Sequence, residues 1–335
     1  CSKRADRPVK FVAPAYALKD IEEVPRYKTL NPQDDGCRLW WIEYGGRNDT
    51  VHDTEQIKWE LWKVVYGVWN YLPPSGVFPA VATLTLEWVG TIPGKRESRR
   101  FEGEYILTQQ DVIGQTRFED AVASGGWALD LHPADGVYST LPSCNQWHTK
   151  GVYQIPYRCY ISKDIDNLFY AGRIISTSHV AFGSSRVMAT CAHGAQAVGM
   201  AAALCLEHHL LPVDMLSSPW LKRLQNELNK SGQSIPGIPI YRRENDLMKE
   251  AKIIASSTCQ LADVPFDGPW MKLEVGSGQL LPMKKEVCYR FRVRVRSTEK
   301  TILRAEVRKS SKSYNYTPDI TLETLEISIE KGEQF

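Results

Sequence analysis

Residues 167–204 place a short apolar run, a polar loop and a long alanine- and glycine-rich stretch in succession, an order that few folds accommodate. Residues 168–171, Leu-Phe-Tyr-Ala, read as a buried strand that stops at Gly172-Arg173. A Ser/Thr/His loop follows and leads into an Ala/Gly-rich segment of helical character. A helix with such small side chains can lie very close to another backbone, and Gly199 with Ala195, Ala197 and Ala201 to Ala203 is expected at that contact. The N-terminal amides and positive dipole end of a helix suit an electron-rich group. The segment therefore predicts a cofactor on a helix N-terminus.

The same residues, from Asn167-Leu168-Phe169-Tyr170-Ala171-Gly172-Arg173 to Ala192-His193-Gly194-Ala195-Gln196, resemble the last flavin-binding motif of a bacterial family of FAD-dependent oxidoreductases. That family is related to the fumarate reductase and glutathione reductase superfamily. Two other stretches are similar to it as well. One is Pro93-Gly94-Lys95-Arg96-Glu97-Ser98-Arg99-Arg100, running on to Asp111. The other is Gly125-Gly126-Trp127-Ala128-Leu129-Asp130-Leu131-His132-Pro133, followed by Ile155-Pro156-Tyr157-Arg158. The resemblance covers Trp40 to about residue 255. It implies an α/β flavoprotein fold, α+β within these residues, and FAD as the cofactor.

Such flavoproteins open with a strand, a Gly-x-Gly-x-x-Gly turn and a helix that hold the dinucleotide pyrophosphate. The sequence contains no such turn: Gly276-Ser277-Gly278 meets Leu281 where the third glycine belongs. The expectation is an internal piece of a longer flavoprotein that, alone, binds FAD weakly or not at all.

The 41 Lys and Arg nearly balance 39 Asp and Glu, so the charge implies no nucleic-acid partner. Hydrophobic residues make up 43% of the 335, enough for two or three domains, and no apolar run reads as long enough to span a bilayer. None of the 8 cysteines forms a Cys-x-x-Cys pair, so no metal site is expected.

Residues 55–71 read as an amphipathic helix with Ile57, Leu61, Val64, Val65 and Val68 on one face. Residues 81–89 alternate as a half-buried strand, 104–107 form a second strand, and Thr108-x-x-Asp111 can open a helix. Ser218-Pro219 opens a helix over 220–229, and Asn245 opens another over 246–255. From about residue 264 period-two alternation takes over, in Val287 to Val295, Leu303 to Val307 and Leu325 to Ile329, which reads as a β-sandwich or related all-β module. The resulting division is a substrate or cap domain over 1–150, the C-terminal part of an FAD-binding domain over 151–262, carrying the last Rossmann strand and helix, and a β-sandwich-like module over 263–335.

Several side chains have both a chemical and a structural reading. His179 either faces flavin or substrate, or braces its loop. Arg173 and Arg186 either stabilise the anionic reduced flavin or bond loop carbonyls. Lys95, Arg96, Arg99 and Arg100 either clamp a substrate carboxylate or pair with Glu97, Glu102 and Glu104; the resemblance keeps Arg96 and Arg99 as site candidates. Gly126 before Trp127 suggests close approach to a flat group such as flavin. Asp130 and His132 share one face of an extended segment, as an acid/base pair or a structural hydrogen bond. The resemblance adds Gly172, Ser178, Gly194 and Gln196 as cofactor-binding, with His179, His132, Arg96 and Arg99 as the catalytic candidates. Arg290, Arg292, Arg294 and Arg296 read as a solvated strand face.

The implied function is FAD-dependent oxidation or reduction of a small organic substrate, with hydride exchanged at flavin N5. Two alternatives stay open: a carbohydrate-related protein, or a piece with no activity of its own. Lyase chemistry on a carbohydrate would need a base beside a carboxylate-neutralising group, met by Tyr157 with Arg158 or by His132 with Arg96.

Overall fold

The computed structural model describes residues 2–30, 32–33, 36–37, 39–72, 79–240, 247–257, 265–273, 276–281, 283, 290–312 and 317–335. The chain forms two compact units, Cys1–Ile240 and Tyr241–Phe335.

In the first unit short strands and helices alternate: β1 Ser2–Arg4, β2 Pro32–Gln33, β3 Gly36–Cys37, α1 Thr54–Tyr71, β4 Leu84–Leu86, α2 Gln109–Gly114, β5 Ala121–Gly125, β6 Leu129–Leu131, β7 Asn145–Trp147, β8 Tyr153–Pro156, α3 His179–Ser185, α4 Met188–His208 and α5 Ser218–Lys230. The strands pair in antiparallel twos, β1 with β4, β2 with β3, β5 with β8 and β6 with β7. Helices and strands are mixed, in line with the α/β expectation, and the sheets are small.

Two apolar clusters hold the unit together. The larger gathers Val122, Ile155, Tyr157, Tyr160, Ala197, Ala201 and Leu224 around β5 and β8, with α4 and α5 packed on them. The smaller surrounds α1, whose Ile57, Val64, Gly67, Val68 and Trp69 are buried, while Leu61 and Val65 are half-buried. The free edge of β5 is closed by side chains. Gln225 Nε2 donates to Glu119 O and Ala121 O, Gln233 Nε2 donates to Val122 O, and His193 Nδ1 accepts from Ser124 N at 3.2 Å.

Several elements differ from the sequence reading. Residues 168–171 form no buried strand: Phe169 makes an isolated bridge to Ile161, and Leu168 is exposed. The polar run Lys163-Asp164-Ile165-Asp166-Asn167 turns the chain just before it, leaving too few residues for a ladder. Residues 81–89 keep only β4 as strand, preceded by a 3-10 turn, and Trp88 is exposed. Residues 104–107 contribute bridge residue Leu107, paired with Thr177, and no strand. The helix at Thr108-x-x-Asp111 does form, as α2, with a complete capping box. α5 begins one residue before the proline, with Ser217 at its N-cap. Of the expected helix over 246–255, Asp246 lies outside the described residues, and the rest holds a single 3-10 turn, Leu247–Lys249.

α4 is long and apolar enough by length and composition to cross a membrane, contrary to the sequence reading, because alanine and glycine make it apolar without large side chains. Its buried residues, Thr190, Gly194, Ala197, Ala201, Leu204 and Cys205, form one face against β5 and α5. Gly199 is not at that contact. It is exposed, and a Cβ there meets nothing within 4 Å. The close approaches on this side of the unit belong to Gly194 and Gly183.

The second unit contains β9 Val295–Ser297, β10 Thr301–Lys309, β11 Ile320–Ile329 and β12 Gly332–Gln334. β10 and β11 form an antiparallel pair in which Leu303 faces Ile327 and Ala305 faces Leu325, so their alternation does place apolar residues on one side. β12 pairs with β9. Leu325, Ile327, Phe291 and Val293 are all exposed, and Val287 and Tyr289 lie outside the described residues. The described strands thus make two two-stranded sheets without a sandwich core. Of the arginine stripe, Arg294 and Arg296 both bond Glu333, at 2.6 and 3.0 Å, and both stand over the Trp270 ring.

Candidate functional site

Strand β6 carries Asp130, and His132 follows it. Helix α3 lies so close to this strand that a Cβ on Gly183 would stand 3.0 Å from the Asp130 carbonyl oxygen. Ser178 caps α3 by accepting from Ala181 N at 3.3 Å, which makes His179 its first residue and not part of a loop. Ser184 Oγ donates to Trp127 O at 2.5 Å and bonds Tyr153 Oη at 2.9 Å, fixing α3 against β6 and β8.

At the far end of α3, Arg186 Nη2 reaches Asp130 Oδ2 at 3.0 Å and His132 Nε2 at 3.3 Å. Asp130 Oδ2 lies 3.4 Å from His132 Nε2. The other ring nitrogen, Nδ1, is 2.8 Å from Glu43 Oε2, and Glu43 also pairs with Arg96. Arg96 Nη2 stands 3.2 Å from His132 Nδ1. Glu43 is held by its backbone: its carbonyl accepts from Val137 N at 2.7 Å, and Gly136, at φ 53°, lies directly against it. Trp40 stands edge-on to the His132 ring, 6.0 Å between centroids.

His132 is therefore enclosed by two carboxylates and two guanidinium groups. Burial, then the charge of Arg96, pushes the Arg186 guanidinium below its ordinary range. Cys144 lies beside Asp130, and burial followed by that carboxylate pushes its thiol up. Asp130 Oδ1 is buried without a hydrogen-bond partner of ordinary geometry, and the Cys144 thiol meets the same carboxylate group.

A second cluster is built on the loop that carries Arg96. His179 Nδ1 is 2.9 Å from Glu97 Oε1, and the same oxygen pairs with Arg100. Arg100 Nε donates to Thr177 O at 3.0 Å. Arg173 Nη1 donates to Lys95 O and, at 2.8 Å, to Arg96 O, tying residues 95–97 to the start of the 172–186 segment. Burial, followed by the charge of Arg100, lowers the His179 pKa below its usual 6.5.

The structure thus joins His132, Arg96 and Arg186 in one cluster and His179 in a neighbouring one on the same loop. Other expected residues have different surroundings. Arg99 is exposed and its charge acts on Asp49. Arg173 braces the loop through backbone carbonyls. Ser178 is a helix cap. Gly126 makes no close approach, since a Cβ there is 3.7 Å from Val152, whereas one on Gly125 would strike the Tyr153 hydroxyl at 2.4 Å. Trp127 is half exposed. Gly172, at φ 77°, opens onto free space. Gly194 packs against Tyr160, and Gln196 Nε2 donates to Ser231 Oγ at 3.0 Å, on the side of α4 facing the end of α5. Glu43 gives no signal in the sequence, because it sits alone between Ile42 and Tyr44. Glu97 and Arg100 form the ion pair expected from the structural reading of the basic run.

The lyase pairing of Tyr157 with Arg158 fails on burial. Tyr157 is fully buried and its hydroxyl donates to Pro212 O at 2.8 Å, while Arg158 forms a bidentate pair with Asp120.

α4 opens at Val187 with no side-chain cap, and the next two residues, Met188 and Ala189, are exposed, Met188 at 89%. The first two residues of a long helix thus lie at the surface, with Val187 between them and Arg186.

A model of the FAD dependent oxidoreductase family matches residues 1–228. The chain belongs to this family. No curated protein and no solved structure matches it. FAD is the cofactor this family implies, and the start of α4 carries groups of a kind that could hold an electron-rich part of it. An uncapped 21-residue helix offers donors and a positive dipole end, and Arg186 precedes it. Buried hydroxyls without a hydrogen-bond partner, on Ser176, Thr177 and Ser185, lie in the same segment.

Proposed function

We propose that this protein exchanges a hydride between a small organic substrate and N5 of FAD, and that the first turn of α4 holds the flavin ring. The observation that carries this reading is the α4 N-terminus: uncapped at Val187, exposed at Met188, and preceded by the Arg186 cluster. Unpaired amides and a positive helix end favour the electron-rich edge of the ring, where negative charge gathers on reduction. FAD, when bound, supplies the two-electron chemistry.

The side chains of this chain orient and carry charge. Arg186 is desolvated and sits between Asp130 and α4, where its positive charge favours an anion. Arg96 and Trp40 form the exposed rim above His132 and suit substrate contact. His132 has both ring nitrogens engaged, so it organises the two arginines.

The sequence contains no Gly-x-Gly-x-x-Gly turn, so the pyrophosphate receives no such cradle from these residues. Fluorescence titration of the chain with FAD and with riboflavin tests the reading. Both ligands should bind weakly and alike, because only the ring is held. FAD binding about a hundredfold tighter than riboflavin, near 2.7 kcal/mol, would contradict it.

A further inference from the structure

We propose that Glu97 is the positioning residue that presents Nε2 of His179 as the proton acceptor of this site, an inference that rests on the oxidoreductase reading above. The two candidate histidines differ in whether a ring nitrogen is left to spare. His132 has Nδ1 on Glu43 at 2.8 Å and Nε2 facing Asp130 at 3.4 Å, with Arg96 and Arg186 against the same ring. Neither of its nitrogens is open to a substrate. His179 has one nitrogen engaged, Nδ1 on Glu97 Oε1 at 2.9 Å, and its side chain is 64% exposed.

An ionised carboxylate only accepts hydrogen bonds, so Nδ1 of His179 must be the donor. A neutral imidazole carries a single N–H, and the lone pair therefore lies on Nε2. Partial burial and the neighbouring Arg100 charge lower the His179 pKa and so favour the uncharged ring, the form that can take a proton. A free neutral histidine in water prefers the opposite tautomer, with the hydrogen on Nε2. The orientation is thus imposed by Glu97.

Glu97 is itself fixed from three sides. Arg100 pairs with the same oxygen, Thr50 Oγ1 donates to the Glu97 carbonyl at 3.4 Å, and Arg173 holds the carbonyls of the two preceding residues. Ser178 caps α3 and sets the direction in which His179 leaves the helix. A substrate hydroxyl or similar acidic group meeting Nε2 would pass its proton there, leaving an imidazolium whose Nδ1–H still faces the Glu97 carboxylate.

The test is long-range proton–nitrogen NMR of the full chain labelled at histidine, with the His179 signals assigned by their loss in His179→Gln. The expected result is a protonated Nδ1 and an unprotonated Nε2 at neutral pH. Glu97→Ala should move the proton toward Nε2, whereas Arg100→Ala, which keeps the carboxylate, should leave it on Nδ1. A structural ion pair between Glu97 and Arg100 alone would not move the tautomer. Diethyl pyrocarbonate, which attacks an unprotonated ring nitrogen, should modify His179 before His132. An Nε2–H tautomer in the wild-type chain, or no change in Glu97→Ala with its circular dichroism intact, overturns the proposal. No flavin is present in these measurements, so their failure is separate from failure of the flavin titration.

Discussion

Gly194 lies against Tyr160 so closely that a Cβ built on it would stand 2.5 Å from the phenol oxygen. The Tyr160 ring is fully buried and cannot retreat, so Gly194→Ala is expected to destabilise the chain by about 1–3 kcal/mol through overpacking. Gly199, five residues on along the same helix, faces open space. Gly199→Ala should stabilise by roughly 0.5–1 kcal/mol, through helix propensity alone. Denaturant unfolding of the two variants should show opposite signs.

Asp120 and Arg158 form a bidentate pair at 2.9 and 3.1 Å, with the Asp120 side chain 7% exposed. Asp120 Oδ2 also accepts from Arg158 N at 3.2 Å. Asp120→Ala leaves two donor groups unpaired beside β8, and a loss of about 1–3 kcal/mol is expected. Thermal unfolding at constant pH and salt checks it.

Burial and the hydrogen bond to Asp111 push the Tyr105 phenol up to about 12 from the ordinary 10.0. Between those values the unfolded chain has lost the phenolic proton and the folded chain has kept it. Stability from this group is therefore complete below pH 10.0 and falls as pH rises toward 12. Burial also raises Tyr138, Tyr153, Tyr157 and Tyr160, so the late titration of Tyr105 should be read as the difference between the ultraviolet tyrosinate titrations of wild type and Tyr105→Phe. Asp111→Asn should lower its midpoint, because the carboxylate charge beside the phenol is removed while an amide oxygen remains to accept from Thr108 N.

Arg173 donates to the carbonyls of Lys95 and Arg96. Arg173→Ala should therefore speed amide exchange through residues 94–100 while leaving β5 and β8 unchanged. Uniform exchange rates in mutant and wild type would show that the loop is held without it.

What the sequence revealed depended on how local the cause was. The amphipathic pattern of α1, the helix start at Thr108-x-x-Asp111, and the helical character of the Ala/Gly-rich segment are set by neighbours within a turn, and helices formed at all three. Residues 168–171 looked like a strand from composition, but a ladder needs a partner, and the chain turns too soon to supply one. Arg96, His132 and Arg186 were legible as candidates because glycines and basic residues mark their segments. Glu43, which joins two of them, was not: its role exists only once residues 43 and 136 touch. Gly194 and Gln196 share the flavin-type motif with Arg186 but meet Tyr160 and Ser231 instead, since a helix distributes consecutive residues over different faces.

Amide NMR of the chain titrated with riboflavin shows most directly whether the first turn of α4 holds the flavin ring. Saturable shifts are expected at Met188, Ala189 and Thr190, with the side-chain signal of Arg186 moving alongside and the signals of α5 unmoved. Shifts confined to other segments, or none at the first turn of α4 under saturating riboflavin, would contradict that placement of the ring.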